Sequence, residues 1–424
     1  MQSDKEPDSD KDPSPSAHDA NPSDSAAHQG LRTFAGFPPA AVATAFATFI
    51  AFMGIGVVDP ILPVIGRAMG ASPPQVELLF TSYIAVMSVT MLVSGVLATR
   101  LGAKRTMLLG LGTVVVFATL SGLSNGIPML AVVRGFWGFG NSMFTSTALS
   151  IIVGASAGTV AEAITLYEAA LGLGIASGPL VGGLLGSFSW RDPFFGTAVL
   201  MALAFTATAW VVRETGKREA PRTMRDIFHA LGQADVLTNA LVGLTYSYGF
   251  FTILAYSPLA LGFPALTLGL IYFAWGVLVA VSSVWLVNLL RDRVGATRLL
   301  VVDLVCLLVL FAALDLLRPR SADMILIIAS GLFCGVANAL FTTLAIEVSP
   351  FSRSISSGTY NFLRWAGAAF APVLSGTIAL WAGTRTPFLV AAVVLLAGIV
   401  TLGLRRGSLE QAIIRNRDSF EKAV

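Results

Sequence analysis

A chain of 424 residues that is 55% hydrophobic and only 12% charged, with a mean hydropathy of +0.77, is too apolar and too charge-poor for ordinary soluble domains. Its apolar stretches run near 20 residues rather than ten, which fits spanning helices and excludes the short alternating strands of an outer-membrane barrel. The net charge of +3 gives no reason to invoke a nucleic-acid partner, and Cys306 and Cys334, both inside apolar stretches, read as small core residues rather than a disulfide framework.

Residues 1–37 carry Asp4, Glu6, Asp8, Asp10, Asp12, Asp19 and Asp24 against Lys5, Lys11 and Arg32, among Ser and Pro. Such a segment buries too little apolar surface to fold and reads as a disordered cytoplasmic tail. It lacks the basic start, apolar centre and cleavage site of a signal peptide, so the first helix is expected to act as its own insertion signal.

A spanning window then places helices near 39–66, 75–98, 105–124, 127–152, 162–186 and 193–213. A cytoplasmic linker covers 214–237. A second six follow near 238–261, 264–289, 297–317, 322–348, 356–382 and 386–405, leaving a C-terminal tail at 406–424. The fold expected is all-α and integral to the membrane, with 12 transmembrane helices in two pseudo-symmetric six-helix bundles, 38–213 and 238–405. The bundles read as copies at one offset of 193 residues, which carries Gly102 onto Gly295, Gly138 onto Gly331, Tyr167 onto Tyr360 and Pro179 onto Pro372.

Lys and Arg set the orientation. Twenty of the 27 fall on the side of the two termini and five, Arg67, Arg191, Arg318, Arg320 and Arg385, on the other, so both termini are expected in the cytoplasm. Arg134 and Arg364 lie within helices.

Four segments carry the chemistry. The first helix contains Gly56-Val-Val-Asp59-Pro60-Ile-Leu62-Pro63, and the turn after the second contains Gly95-Val-Leu-Ala-Thr99-Arg100-Leu-Gly102-Ala-Lys104-Arg105. The fourth helix contains Arg134-Gly-Phe-Trp137-Gly138-Phe-Gly140-Asn141, and the fifth Gly174-Ile-Ala-Ser-Gly178-Pro179-Leu-Val-Gly182-Gly183. An interior Gly costs a helix roughly 1 kcal/mol against Ala and Pro roughly 3. A helix that keeps them must gain close backbone approach and a kink.

These segments resemble the major facilitator superfamily, in particular its 12-helix drug/proton antiporters. The fifth-helix cluster is similar to the exporters' antiporter signature, the fourth-helix segment to the motif whose arginine is implicated in proton coupling, and the prolines of the first helix to bacterial drug/proton exporters. The turn around Gly102 looks like the superfamily's Gly-x-Leu-x-Asp-Arg-x-Gly-Arg-Lys motif, with Thr99 where the acid usually stands. Its second copy keeps Asp292, Arg293, Gly295 and Arg298. The resemblance implies a substrate site between the halves near the bilayer midplane.

Intramembrane charges are expensive and mark function. Asp59 and Arg134 both fall roughly 10 Å from the outer surface at 1.5 Å per residue, so a pair facing the cavity is expected. Arginine favours the charged form of Asp59 and burial the neutral form; a permanent bridge that fixes packing is the alternative. Glu168, roughly 9 Å from the inner surface, either binds a cationic substrate or a proton, or pairs with Arg364. Asp303 reads as a local structural ion pair. Asp59, Arg134 and Glu168 are therefore the expected proton-coupling residues. Phe136, Trp137, Asn141, Tyr248, Phe251, Asn338, Asn361 and Arg364 are the expected cavity lining. Arg100, Asp292, Arg293 and Glu347 form the expected cytoplasmic gate, and Gly174, Gly178, Pro179, Gly182 and Gly183 the expected helix-packing contacts.

No phosphate-cradling Gly-x-x-x-x-Gly-Lys-Ser/Thr element is present. A proton moving through 100 mV supplies about 2.3 kcal/mol, enough for a roughly fiftyfold gradient of a neutral solute. No metal spacing, cofactor or enzyme site is expected. The reading is a monomeric, proton-coupled exporter of small amphipathic molecules or drugs in the inner (plasma) membrane, working by alternating access. The alternatives are an exporter or flippase for an endogenous metabolite or lipid, and a transport-inactive substrate sensor.

Overall fold

The computed structural model describes residues 37–156, 160–213, 224–317, 319–351 and 353–421. The acidic tail of residues 1–36, connector residues 214–223 and the side chain of Thr99 lie outside the described residues. Twelve long helices and a short linker helix, Met224–Leu231, make up the described residues, with no strand among them. The first six are α1 Pro39–Met69, α2 Pro73–Leu101, α3 Ala103–Leu123, α4 Ile127–Ala155, α5 Val160–Gly186 and α6 Asp192–Val211. The second six are α7 Ala234–Leu261, α8 Ala265–Val294, α9 Ala296–Leu316, α10 Arg320–Glu347, α11 Arg353–Ala382 and α12 Thr386–Glu421.

Among the described residues, ten of these helices hold a stretch apolar enough to cross a membrane. The other two, α2 and α4, are as long and carry polar residues. They hold Glu77, Arg134 and Asn141, all buried, so their polarity is turned into the protein.

In the first half α2 and α3 pack on α4, α1 on α5 and α6, and α3 on α6. Six places along, α8 and α9 pack on α10, α7 on α11 and α12, and α9 on α12. The halves meet through α2 against α11 and α5 against α8, each contact the image of the other. Gly102 joins α2 to α3 at φ 91°, and Gly295 joins α8 to α9 at φ 85°, a region that side chains rarely adopt.

The single offset of 193 needs correction. Gly102 and Gly295 keep it, but the left-handed glycines that end α1 and α7, Gly70 and Gly262, are 192 apart. Gly138 and Gly331, which keep the offset of 193, press on the backbones of Tyr83 and Trp275, which are 192 apart. Between these landmarks α8 passes through a π-helical turn, Ser282–Leu286. A π turn is one residue inserted into an α-helix, and it supplies the difference.

The glycines of α5 set its distance from α1. Gly174, Gly178, Gly182 and Gly186 meet Phe49, Met53, Val57 and Ile61, steps of four on both helices. An added Cβ at Gly178 would lie 2.6 Å from the Met53 carbonyl oxygen. Gly183 faces the other way, and a Cβ there would lie 2.6 Å from the Ala265 carbonyl of α8. The carbonyl of Pro179 is turned toward Gly269 of α8, while its ring touches Gly56 of α1.

Arginines close the ends of two helices. Arg191, just before α6, donates to the Gly122 carbonyl at the end of α3 at 2.6 Å. Arg385, just before α12, donates to Leu314 and Leu317 at the end of α9, at 2.6 and 2.5 Å, and pairs with Asp323 at 2.8 Å. Each places a cation where a helix dipole is negative.

The tail expected from residue 406 is helical as far as Glu421, continuous with α12. Hydropathy falls at Arg405 and Arg406, but helix-forming residues follow, with Leu409 and Ala412 buried. Ser408 donates to Asp235 of α7 at 2.5 Å, and Asn416 to the Glu347 carbonyl of α10 at 3.0 Å.

Candidate functional site

Regular helix stops in α1 at Gly56, a 3₁₀ turn covers Asp59–Ile61, and helix resumes at Leu62. Pro60 and Pro63 have no N–H to donate, which breaks the ladder here. The break places Asp59 in the interior, fully buried, and neither of its carboxylate oxygens has a hydrogen-bond partner in the protein.

On α4, Arg134, Trp137, Gly138 and Asn141 are spaced i, i+3, i+4 and i+7 and so share one face. That face meets α2. The Arg134 guanidinium lies 4.5 Å from the centre of the Tyr83 ring and 4.8 Å from that of Trp137, and its Nε donates to the Leu79 carbonyl at 3.3 Å. Its two terminal nitrogens have no hydrogen-bond partner. Asn141 donates to the Tyr83 hydroxyl at 2.6 Å. Asp59 is within electrostatic reach of Arg134 but makes no hydrogen bond to it. The permanent bridge weighed from the sequence is absent between these two residues.

Glu77 completes this group and was not singled out in the sequence. It lies about 6 Å along α2 at 1.5 Å per residue, fully buried, with both oxygens unpartnered. An acid near a helix start reads as an ordinary dipole partner. The capping box of Ser72 and Gln75, whose N–H to Oε1 distance is 2.9 Å, fixes the start at Pro73 and puts Glu77 a full turn inside.

Around these acids the halves are closed. Phe80 meets Phe251 with ring centres 5.6 Å apart, and Phe251 meets Trp365 at 5.9 Å. Thr81 donates to the Ala369 carbonyl at 3.0 Å. Within the second half, Tyr272 of α8 hydrogen-bonds Ser257 of α7, and Tyr256 donates to the Thr384 carbonyl at 2.6 Å.

Toward the opposite end, where Gly102 lies, Glu168 of α5 is exposed. It is within electrostatic reach of Arg364 of α11, which is half-buried over the ring of Trp365. Asn361 and Asn338 are half-buried, and Tyr248 and Phe251 are buried.

Four expectations change. Phe136 does not line the space between the halves: it is half exposed and stacks on Phe117 of α3 at 4.8 Å, because it lies off the face that Arg134 and Trp137 share. Trp137 and Asn141 are fully buried inside the first half, Trp137 between Tyr83, Phe194 and Gly54. Glu347 pairs with Arg291 at 2.5 Å, while Asp292, Arg293 and Arg100 are exposed. Consecutive residues on a helix point about 100° apart, so only one of the three at 291–293 meets α10. This pair joins two helices of one half and does not bridge the halves. Asp303 is buried with one oxygen unpartnered, so the local ion pair expected for it is not formed by that atom.

Comparison with known proteins fits this architecture to a family. The family model described as Major Facilitator Superfamily matches residues 44–366. The chain belongs to the Major Facilitator Superfamily. It is 43% identical over 374 residues to Multidrug efflux protein YfmO of Bacillus subtilis, covering 87% of this chain and 93% of that one. It is 28% identical over 184 residues to Multidrug resistance protein Stp of Mycobacterium tuberculosis, covering 43% of this chain and 34% of that one. A bacterial homologue of the human lysosomal transporter Spinster, solved in an inward-facing and unoccupied conformation, superposes with a TM-score of 0.73 at 14% identity, covering 89% of this chain and 97% of that one. That likeness concerns the fold. The protein is a multi-pass membrane transporter of the superfamily rather than an enzyme.

Proposed function

We propose that this protein is a proton-coupled exporter of drugs and other small amphipathic molecules in the bacterial plasma membrane. The observation that carries the coupling is Asp59, an acid wholly buried beside Arg134 with no partner for either oxygen. A buried ionised carboxylate without a hydrogen-bonded counterion costs several kcal/mol, so Asp59 is at ease in the closed arrangement only as the neutral acid. Export of drugs is supported by the similarity to Multidrug efflux protein YfmO over most of both chains.

In this reading the Asp59 end faces outward and the end at Gly102 faces the cytoplasm, as do both termini. In it the packed Asp59 end is the outer side, and the Gly102 end, where Glu168 is exposed, is the side of entry. A substrate enters from the cytoplasm past Glu168, Asn338, Asn361 and Arg364, and reaches the aromatic floor of Tyr248 and Phe251. Opening of the outer end then hydrates Asp59 and lets it exchange its proton, with Arg134 holding the charged form.

Purified protein in vesicles containing a pH-sensitive dye tests the reading. Addition of a fluorescent lipophilic cation should drive proton movement in wild type, and Asp59→Asn should abolish it together with uphill export. Uphill export at the wild-type rate by Asp59→Asn would end the proton-carrier role.

A further inference from the structure

Glu77 has no place in the mechanism above, and it occupies the seam between the halves. It projects from α2 of the first half toward α11 of the second. A Cβ added at Gly376 would lie 3.0 Å from Pro74 and 3.1 Å from the Glu77 Cγ, so α11 runs over this acid with no side chain between. The charged and titratable groups around it offer no counterion. Asp59 of α1 is within electrostatic reach and of like charge, and Arg134 of α4 is within reach of Asp59. Tyr256 of α7 and Tyr272 of α8 are also within reach, but their hydroxyls make their hydrogen bonds to Thr384 and Ser257. Both Glu77 oxygens remain buried and unpartnered.

We infer that Glu77 is a second proton-binding residue, set in the contact between α2 and α11, and that the Asp59 end closes only when Glu77 carries its proton. The physical reason is one-sided. With the end open, water hydrates the carboxylate and either form is tolerated. Once α11 covers it, the ionised form is a buried charge without a partner, next to a second acid. The closed arrangement therefore binds more protons than the open one, and rising pH favours opening. The proton enters from water as an O–H bond on the carboxylate before closure and returns to water after reopening. Closure is thus linked to a second proton, on Glu77, besides the one on Asp59. The inference builds on the exporter reading but is measured without transport.

Nitroxide labels at Ser187→Cys and Ser321→Cys, with Cys306 and Cys334 replaced by alanine, report the distance across the Asp59 end in nanodiscs. Both serines are exposed, one on the α5–α6 loop and one at the start of α10. In wild type the open fraction should rise with pH. Glu77→Gln, which keeps the shape and cannot ionise, should move that rise upward by a pH unit or more, about a tenfold lower proton activity, and make it less steep. Glu77→Asp keeps an acid and should retain the response. A Glu77→Gln curve that superimposes on wild type overturns the inference even if vesicles show substrate-driven proton flux. A shifted curve in a protein that moves no protons with substrate would leave Glu77 as a gate acid and remove the exporter reading instead. Should Glu77→Gln fail to yield protein, Glu77→Leu, locked shut across the same pH range, is the supporting result, and normal opening by it is the refuting one.

Discussion

The guanidinium of Arg134 rests 4.5 Å from the centre of the Tyr83 ring, not against the carboxylate of Asp59. A cation held by aromatic faces is compensated by quadrupoles that cannot change their protonation at physiological pH. It stays where it is whatever happens to Asp59, and so provides a fixed positive field in which the acid can be charged or neutral.

Tyr83→Phe should keep that support and lose only the hydrogen bond from Asn141, at about 1 kcal/mol. Tyr83→Leu should lose the ring as well, adding about 2 kcal/mol for a desolvated cation. Thermal unfolding of the purified variants measures both, and equal losses would show that the ring is not holding the arginine.

Helix spacing at α5 is tested by two glycines of one helix. Gly178→Ala puts a methyl 2.6 Å from the Met53 carbonyl, whereas Gly172→Ala meets nothing within 4 Å. The first should cut the yield of monodisperse protein several-fold on size-exclusion chromatography, and the second should leave it unchanged or slightly improved through helix propensity.

Arg385→Ala should cost about 1–3 kcal/mol, because it strips two carbonyls at the end of α9 and leaves Asp323 without its partner. Asp323→Asn should cost less, since the carbonyls keep their cap. Denaturant unfolding followed by tryptophan fluorescence ranks the two.

Removal of residues 407–424 deletes the extension of α12 and with it the contacts of Ser408 with Asp235 and of Asn416 with Glu347. The melting temperature should fall by several degrees, and Asp235→Ala should reproduce part of the fall. An unchanged melting curve would reduce the extension to an ornament of the second half.

Glu168→Gln should depress export of a cationic probe at least tenfold and spare a neutral one of similar size, if the exposed carboxylate meets substrate directly. Equal depression of both would point to its electrostatic link with Arg364.

The spanning helices were legible because hydropathy reports burial in lipid directly, and the duplication was legible because Gly102 and Gly295 serve one turn geometry that only glycine fits easily. Side-chain facing was less so. Phe136 and Trp137 are neighbours in sequence, yet one turns to α3 and the other into the core, a distinction of 100° that composition does not carry. Glu77 does not stand out in the sequence, because an acid near a helix start is commonplace. What makes it unusual is Gly376, 299 positions away. Arg291 and Glu347 were separable from Asp292 and Arg293 only by knowing which side of α8 touches α10.

The inserted residue in α8 limits how far the two halves can stand in for one another. With one extra residue midway along α8, a segment grafted from α2 would arrive rotated by about a third of a turn at the end where Trp275 and Tyr272 do their packing. The halves are therefore alike in layout but not interchangeable in parts.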